Sequence, residues 1–378
     1  ISDCDKEAIA SLEDGDILVM HHPVERLQLE DDKVFLNKIL KEKDIDQVPV
    51  AYRTDLHDSN IQSAHKAISF IRKSANCYVM IGDFTNFFDN LDHKYLKKQW
   101  CKLIGKNMLP DDHYAVFKNV TRYSKWELED ILKINDLPNT DKGIRKLNRQ
   151  SRVLSDEQFK NNKKCIVKNC STYGVPQGSP ISAVLANIYM LEADELINKI
   201  VLKHDGFYMR YSDDFIVVIP SSEEKKYNVF NQIIGIIGGI PNLTLENKKT
   251  QFFHVDIPLV KNVGHDFSDD ADTSKNIINF LGFSFDGSKI RVRSKTISKY
   301  YYRMNRKAKA IAHNLGNVGA DHLYMKYSER GARGKQGNFF SYINNAENEF
   351  GKDELIGHDF KRHMSKIRKI IKRESKKR

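Results

Sequence analysis

Short, mostly apolar runs that end in acidic residues are the clearest hydrophobic pattern in this chain. Residues 77–81 form an uninterrupted apolar run just before Asp83. Residues 207–211 and 215–219 are rich in aromatic and β-branched side chains, and they flank the polar segment 212–214. This pattern predicts a buried strand that delivers Asp83 at its end and a β-hairpin with two adjacent acids at its tip.

Helical periodicity and turn residues organise most of the remaining chain. Apolar residues at helical spacing predict helices over 34–42, 61–73, 92–101, 113–118, 127–134, 222–237, 297–315 and 339–348. The Gly/Pro loop 174–179 leads into Pro180 and an apolar helix face, which predicts a helix that begins there. Further strands are predicted at 243–245, 251–255, 280–285 and 289–293, with irregular segments at 139–164 and 256–275.

Two adjacent carboxylates at the tip of a buried hairpin repel each other and lose hydration. Such a pair is stable where a cation neutralises it, so Asp213 and Asp214 indicate a cation site, with a solvated turn as the alternative. Asp83 lies 130 residues earlier (213 − 83), so a shared Mg²⁺ site would have to be assembled by the fold. Loop 174–179 at a helix N-terminus suits a phosphate-bearing substrate, with a plain capped helix as the alternative.

Composition narrows the class of protein. The chain has 378 residues, a net charge of +11 and a hydrophobic content of 40%, which fits a globular protein of two or three subdomains. Its five cysteines form no C-x-x-C pair, which indicates a reduced, cytoplasmic protein, and no membrane-spanning or secretory segment is predicted.

Basic residues concentrate in two segments. Residues 361–378 carry ten Lys and Arg against one acid, and residues 142–168 carry nine against two. Basic segments are either solvated or contact nucleic-acid phosphates. The segment 300–307, with three tyrosines and three cations, either tracks nucleic acid or forms a half-buried helix with a basic face.

Taken in order, these segments resemble the motifs of reverse transcriptases. Residues 82–93 (GDFTNFFDNLDH) resemble motif A, residues 174–189 motif B, and Tyr211-Ser212-Asp213-Asp214 the Tyr-x-Asp-Asp box of motif C. Residues 243–250 resemble motif D and 280–283 motif E, and the segment around Tyr52-Arg53 resembles the fingers motif. The resemblance covers roughly residues 45–295 and rests on the order of the motifs rather than on any one of them.

The resemblance implies an α+β fold of the right-hand polymerase type. Such a fold has fingers, palm and thumb, an antiparallel palm sheet backed by helices, and a helical thumb. We therefore expect an N-terminal segment and fingers at 1–75, palm at 76–110 and 173–295, a fingers-side insertion at 111–172, and a thumb with a basic tail at 296–378.

The resemblance also implies roles for individual residues. Asp83 and Asp213 would bridge two Mg²⁺ ions, for which Mn²⁺ is a substitute, with the Phe84 carbonyl as a further ligand and Asp214 in support. The implied nucleotide-binding residues are Arg53, Phe88, Gln177 and Lys249. The implied template and primer contacts are Pro176, Gly178, Tyr211, Arg303 and Arg306.

Several of these assignments have a competing interpretation. Arg53 would grip the triphosphate through its forked guanidinium, or it is an ordinary surface arginine. Phe88 would exclude a ribose 2′-hydroxyl and so select dNTPs, although at least one of Phe87 and Phe88 must be a core residue. Lys249 would protonate the leaving pyrophosphate, but Lys248 is adjacent and could take its place.

The expected function is RNA-templated DNA synthesis from dNTPs. The absence of Val-Thr-Gly and Asn-Ala-x-x-His motifs, and of a recognisable accessory domain, favours a stand-alone bacterial antiphage-defence enzyme. Such an enzyme would use a dedicated non-coding RNA, and a homo-oligomer stays open. The alternatives are a retron or mobile-element enzyme, an RNA-dependent RNA polymerase, and an RNA-binding scaffold with a decayed site.

Overall fold

The computed structural model describes residues 24–221, 223–267, 273–313, 320–333, 339–358, 360 and 363–376. Within them the strands are β1 (Asn76–Gly82), β2 (Ser124–Lys125), β3 (Val167–Lys168), β4 (Phe207–Tyr211), β5 (Asp214–Pro220), β6 (Gln251–Asp256), β7 (Leu259–Asn262), β8 (Ile278–Phe280), β9 (Phe283–Phe285) and β10 (Ile290–Val292).

The α-helices among the described residues are α1 (Val24–Glu42), α2 (Asn60–Ser74), α3 (His93–Leu103), α4 (Asp111–Thr121), α5 (Leu128–Ile134), α6 (Asp141–Leu147), α7 (Asp156–Asn161), α8 (Pro180–Leu202), α9 (Glu223–Gly238), α10 (Ser294–His313), α11 (Ala320–Tyr327), α12 (Glu329–Arg333), α13 (Phe339–Phe350) and α14 (His363–Ser375). None of these described helices is both long and apolar enough to cross a bilayer.

An antiparallel sheet of five strands, in the order β4-β5-β1-β6-β7, positions the candidate site. Six of the seven residues of β1 are buried, and so are the five central residues of β5, so both faces of these two inner strands are covered. Helix α2 packs against β1, β4 and β5. Its N-terminus is fixed by a capping box between Ser59 and Gln62, and its apolar face carries Ile61, Ala64, Ile68 and Ile71 into the core.

The chain divides into two compact units. The five-stranded sheet belongs to the second unit, which is formed by residues 47–83, 197–234 and the described part of 245–378. In this unit a single apolar core joins α2, the sheet, the small sheet β10-β9-β8 and the C-terminal helices. Helix α10 packs against α11 and α14. The α+β class and the antiparallel sheet are confirmed, whereas the boundaries of fingers, palm and thumb stay a prediction.

The first unit comprises the described parts of 1–46, with 84–196 and 235–244. Helix α1 packs against α3 and α4 in this unit. The segment between α4 and α8 carries the short ladder of β2 and β3 and three short helices. Residues 139–164, predicted to be irregular, therefore contain α6 and α7, whose N-termini are capped by Thr140 and Ser155.

Three further differences from the predicted elements have clear causes. Residues 243–245 form no strand of the sheet: Leu243 closes a turn against Ile240, and the carbonyl of Thr244 accepts from the backbone N–H of Thr85. The polar segment after 256 contains β7, which pairs with β6 through its backbone. The basic tail contains α14, whose buried Ile367 joins the core of the second unit, so much of this segment is a packed helix.

Candidate active site

The three candidate carboxylates meet at one end of the five-stranded sheet. Strands β4 and β5 form the predicted hairpin, in which Tyr211 pairs with Asp214. Ser212 and Asp213 form the turn, and Asp214, predicted at the tip, is the first residue of β5. Strand β1 is antiparallel to β5, with Gly82 opposite Phe215. Continuing this register by one residue places Asp83 opposite Asp214, and neighbouring residues across such strands are about 5 Å apart.

Glycine is required at the last position of β1. An added Cβ at Gly82 would lie 2.2 Å from the ring of Phe215 on the neighbouring strand. Real Cβ atoms do not approach another carbon that closely, and Phe215 is itself fully packed. Gly82 therefore allows β1 and β5 to remain paired up to the carboxylates.

Burial and mutual repulsion change the ionisation of these acids. The pKa of Asp214 is raised to about 6, first because burial penalises its charged form and then because Asp213 and Asp83 repel it. Arg293 and Lys249 act in the opposite direction. The cluster thus concentrates negative charge where water is partly excluded, which is the environment in which a cation binds best.

Lys249 contacts the first of these acids directly. Its Nζ lies 2.7 Å from Oδ2 of Asp83, and this hydrogen bond raises the pKa of Lys249. The backbone N–H of Glu246 also donates to the carbonyl of Asp83. The segment after Leu245 therefore presents the Lys249 ammonium to the carboxylate cluster.

A buried arginine forms a hydrogen bond with the turn that carries Asp213. Arg210 has 0% exposure, and its Nη1 donates to the carbonyl oxygen of Ser212 at 2.9 Å. Its backbone N–H donates to Val48, and its carbonyl accepts from the N–H of Val50. Arg210 thereby links the turn of residues 212 and 213 to the segment before the fingers motif. Sequence reasoning missed this residue, although a cation inside an otherwise apolar strand was a visible signal.

The segment of the fingers motif also contacts the turn. The hydroxyl groups of Tyr52 and Ser212 lie 3.2 Å apart, and both residues have positive φ angles, 63° and 61°. Arg53, which the resemblance assigns to the triphosphate, is buried. Its guanidinium forms a bidentate ion pair with Asp55, in which Nη2 lies 2.7 Å from Oδ2. To bind a triphosphate, Arg53 would have to exchange this carboxylate for phosphate oxygens.

Phe88 and the Gly/Pro loop belong to the first unit. The N–H of Val175 donates to the carbonyl of Phe88 at 2.9 Å. Gly174 has a φ of +92°, and a Cβ added there would lie 3.0 Å from the carbonyl oxygen of Asp89. Phe88 has 9% exposure and packs edge-to-face on Phe87. Phe88 is thus largely buried, with a small part of its surface exposed to solvent.

The loop residues differ in exposure. Pro176 is buried, whereas Gln177 and Gly178 are exposed, and Gly178 has a φ of +89°. Helix α8 begins directly afterwards, at Pro180 as predicted. Gln177 is therefore free to contact a ligand from the solvent side.

Arg303, one of the two predicted nucleic-acid contacts of α10, borders a basic cavity. The cavity has a volume of about 610 Å³, and its polar lining includes Arg293, Lys295, Lys299, Arg303, His322 and Lys326. Tyr300, Tyr327 and Phe339 form its apolar wall. Arg306 lies outside this lining, over the ring of Tyr302, with its Cζ 6.0 Å from the ring centroid.

Crowding of positive charge near this cavity is visible in its titratable groups. The pKa of His322 is lowered, first by the charge of Lys307, whose Nζ lies 2.8 Å from its Nδ1. The pKa of Lys307 is lowered by burial and by Lys326. Tyr211, also assigned to the primer, is half-buried against the core instead of lining the cavity.

The carboxylates of this site fit Mg²⁺ if substrate phosphates supply the remaining ligands. Among the described residues, no group of three or more His, Cys, Asp and Glu side chains is close enough to hold a metal ion. Mg²⁺ commonly uses only one or two carboxylates together with substrate phosphates. Asp83 and Asp213 can supply these oxygens, and the Lys249 ammonium on Asp83 is a stand-in cation at this position.

Comparison with known proteins gives one family. Residues 31–285 match the family described as "Reverse transcriptase (RNA-dependent DNA polymerase)". No curated protein matches the sequence closely enough to count as a relative.

Similar solved structures include two telomerases of Candida. Apo telomerase from Candida tropicalis, truncated from its C-terminal domain, has a TM-score of 0.41 and 13% identity, over 71% of this chain and 45% of that one. Telomerase from Candida albicans, in complex with a fragment of telomeric RNA, has a TM-score of 0.40 and 16% identity, over 93% of this chain and 47% of that one. This chain thus spans less than half the length of these two structures.

Proposed function

Because the chain belongs to the reverse transcriptase family, we propose that it copies an RNA template into DNA. The reaction would be nucleotidyl transfer, in which the 3′-oxygen of a primer attacks the α-phosphorus of a dNTP and pyrophosphate leaves. The acids that carry it would be Asp83, Asp213 and Asp214. These residues come from two distant stretches of sequence and lie at the same end of one sheet.

One observation carries this proposal. The pairing of β1 with β5 ends with Gly82 opposite Phe215, directly before Asp83 and directly after Asp214, and the pKa of Asp214 is raised to about 6 by burial, Asp213 and Asp83. An acid cluster of this kind is costly unless it binds a cation. It supports a divalent-ion site better than it supports a decayed scaffold.

Asp83 and Asp213 would hold the divalent ions, with the Phe84 carbonyl as an additional ligand. Two Mg²⁺ ions held there would stabilise the attacking and leaving oxygens of an in-line displacement. Asp214, partly protonated near pH 6, would orient its neighbours and maintain the negative field of the site.

Lys249 would act on the leaving group. Its contact with Asp83 raises its pKa, so the ammonium is charged and carries the proton that a departing pyrophosphate oxygen needs. Movement of Lys249 from Asp83 to the phosphate would expose the Asp83 carboxylate when substrate binds. This pairing favours Lys249 over its neighbour Lys248 for the role.

Sugar and base selection would fall to residues of the first unit. Phe88 would exclude the 2′-hydroxyl of a ribonucleotide because a bulky ring offers that group no polar partner. Gln177 is exposed beside Gly178 and would contact the new base pair, with Pro176 holding the loop.

The basic cavity beside α10 would hold primer–template phosphates. Arg303 lines the cavity together with Arg293, which acts electrostatically on Asp214. Phosphate contacts of this kind position a duplex without reading its sequence. Arg306, whose Cζ lies 6.0 Å from the centroid of the Tyr302 ring, would contact further phosphates beside this cavity.

We further propose a bacterial defence enzyme that copies a dedicated non-coding RNA in the cytoplasm. The motif pattern supports this role over a retron or mobile-element enzyme, which is the alternative. Sequencing RNA and DNA that copurify with the protein tests the choice. A single recurrent RNA with its complementary DNA is expected, and a DNA joined to its own template RNA would favour the retron alternative.

Primer extension tests the polymerase itself. Purified protein is incubated with a primer annealed to RNA and with dNTPs or NTPs, in Mg²⁺ or in EDTA. We expect extension with dNTPs in Mg²⁺ only. Extension with NTPs alone would indicate an RNA polymerase, and binding without extension would indicate a scaffold.

A further inference from the structure

Residues 124–168, here called the insertion module, belong to the first unit. Both ends of the module connect to the rest of that unit at neighbouring positions. Their ends pair as the antiparallel ladder of β2 and β3, with Ser124 opposite Lys168 and Lys125 opposite Val167. Just outside the ladder, Asn169 bonds to the backbone oxygens of Thr121 and Tyr123. The module therefore begins and ends at one place.

The module has an apolar core of its own. Its buried residues are Leu128, Ile131, Leu132 and Leu147, with Trp126, Leu137, Ile144 and Val153 packed around them. The side-chain amide of Asn135 donates to the carbonyls of Ile131 and Val153, both at 2.9 Å. The bond to Val153 connects residues 127–141 of the module to residues 142–168. The surface of the module thus rests on a defined scaffold.

Charge is distributed unevenly between these two parts of the module. Residues 127–141 contain five acids and one lysine, whereas residues 142–168 contain nine basic residues and two acids. All nine basic side chains are exposed: Lys142, Arg145, Lys146, Arg149, Arg152, Lys160, Lys163, Lys164 and Lys168. We call these nine residues the basic face.

Few carboxylates neutralise the basic face. Arg145 pairs with Asp141 and Arg152 with Asp156. The other seven cations form no ion pair within the part of the chain that the structure describes. So many like charges on a small scaffold repel one another, and an extended polyanion would relieve that repulsion.

An exposed aromatic side chain, Phe159, is next in sequence to one residue of the basic face. Phe159 is 39% exposed, although its ring packs near Trp126, and it directly precedes Lys160. Exposed aromatic rings next to cations allow unpaired bases to stack while the cations bind phosphates. An acidic protein surface would gain less from this ring.

We propose that the basic face binds the phosphate backbone of an RNA, with Phe159 as a stacking surface for an unpaired base. The choice of RNA over another polyanion rests on the proposed function. The module contains none of the acids or loop residues assigned to catalysis. It is therefore an RNA-docking module whose loss changes RNA capture and leaves the chemical step in place.

Binding is measured by fluorescence anisotropy of a labelled RNA hairpin with an unpaired loop, titrated with the full chain at several salt concentrations. The test variant is Lys160→Ala/Lys163→Ala/Lys164→Ala. The matched control replaces three exposed lysines elsewhere, Lys106→Ala/Lys203→Ala/Lys261→Ala. We expect at least about a tenfold loss of affinity in the test variant and a salt slope smaller by about 2–3, against a small change in the control.

A deletion variant removes the module without opening the fold. Because β2 and β3 form a ladder, residues 126–166 can be replaced by a two-residue Asn-Gly turn. At saturating substrate we expect this variant to extend a short annealed primer at the wild-type rate while binding the hairpin as weakly as the triple variant.

Each outcome decides. Unchanged RNA affinity and salt slope in both variants overturn the proposal, as does a loss confined to a DNA hairpin of the same sequence or to polyglutamate. A wild-type protein that binds RNA but extends no primer refutes the polymerase proposal instead, and its RNA binding still tests the module.

Discussion

The sheet end and the insertion module use positive charge in opposite ways. At the sheet end, Arg210 is fully buried and holds the Ser212 carbonyl through one bond of 2.9 Å. On the insertion module, nine exposed cations lie over a small apolar core and two of them pair with acids. The first region depends on the geometry of a few contacts, and the second depends on the number of charges.

This difference predicts how each region responds to substitution. A buried hydrogen bond cannot be replaced by water, so removing one partner carries the full cost of an unpaired group. An exposed phosphate-binding cation contributes a small, additive share. Single substitutions should therefore be severe at the sheet end and mild on the module.

Arg210→Met should have the largest effect of this kind. It leaves the buried Ser212 carbonyl without its donor and frees the turn that carries Asp213. We expect primer extension to fall by about 10²-fold, because small displacements of catalytic groups have effects of that size. The control is Arg291→Met, at an exposed position of β10, and an equal loss in both variants would refute a specific role for Arg210.

Gly82→Ala should reduce stability through steric overlap. The new methyl would meet the Phe215 ring at 2.2 Å, and overpacking of this kind costs about 1–3 kcal/mol. Thermal unfolding measures the effect. Gly235→Ala is the matched control, because no atom lies within 4 Å of its added Cβ, and it should be neutral or stabilising. Equal melting temperatures for both variants would contradict the close packing of β1 on β5.

Phe88→Ala should relax sugar selection. Removing the ring should lower the preference for dNTPs over NTPs by about tenfold, the scale of a steric pocket contact. The ratio of kcat/KM for the two substrates measures it. Phe87→Ala serves as control, since Phe87 has 2% exposure and belongs to the core. If ribonucleotides stay excluded in Phe88→Ala, the assignment is wrong.

Lys160→Ala should have the smallest effect. One exposed cation among nine contributes less than about threefold to RNA affinity at moderate salt. Anisotropy against Lys106→Ala measures it. A loss as large as that of the triple variant would mean that one residue, and not the charge of the whole face, binds the RNA.

The sequence predicted the central site because its signals are local. An apolar run ending at Asp83, and a hairpin signal around Asp213, place both acids on their elements without knowledge of the fold. The pairing of β1 with β5 is what brings them together, and only the motif order suggested it. The family match over residues 31–285 confirms the family that the motif order suggested, whereas the roles of the individual residues stay predictions.

Other features were harder to predict because tertiary contacts decide them. The charge of Arg210 suggests a surface residue, whereas in the structure Arg210 is fully buried and its backbone pairs with Val48 and Val50. The caps at Thr140 and Ser155 were readable signals for α6 and α7, but polar composition concealed them. In the tail, Ile367 and its helical neighbours outweigh the high charge, and α14 packs as a helix.

The most direct measurement is primer extension on an RNA template by the wild type, Asp83→Asn and Asp213→Asn in Mg²⁺, with folding checked by thermal unfolding. Each substitution removes a carboxylate charge while keeping the shape of the side chain. We predict that both variants fold and that synthesis falls by at least about 10³-fold. Synthesis within about threefold of the wild type in either folded variant would contradict an active site built on these acids.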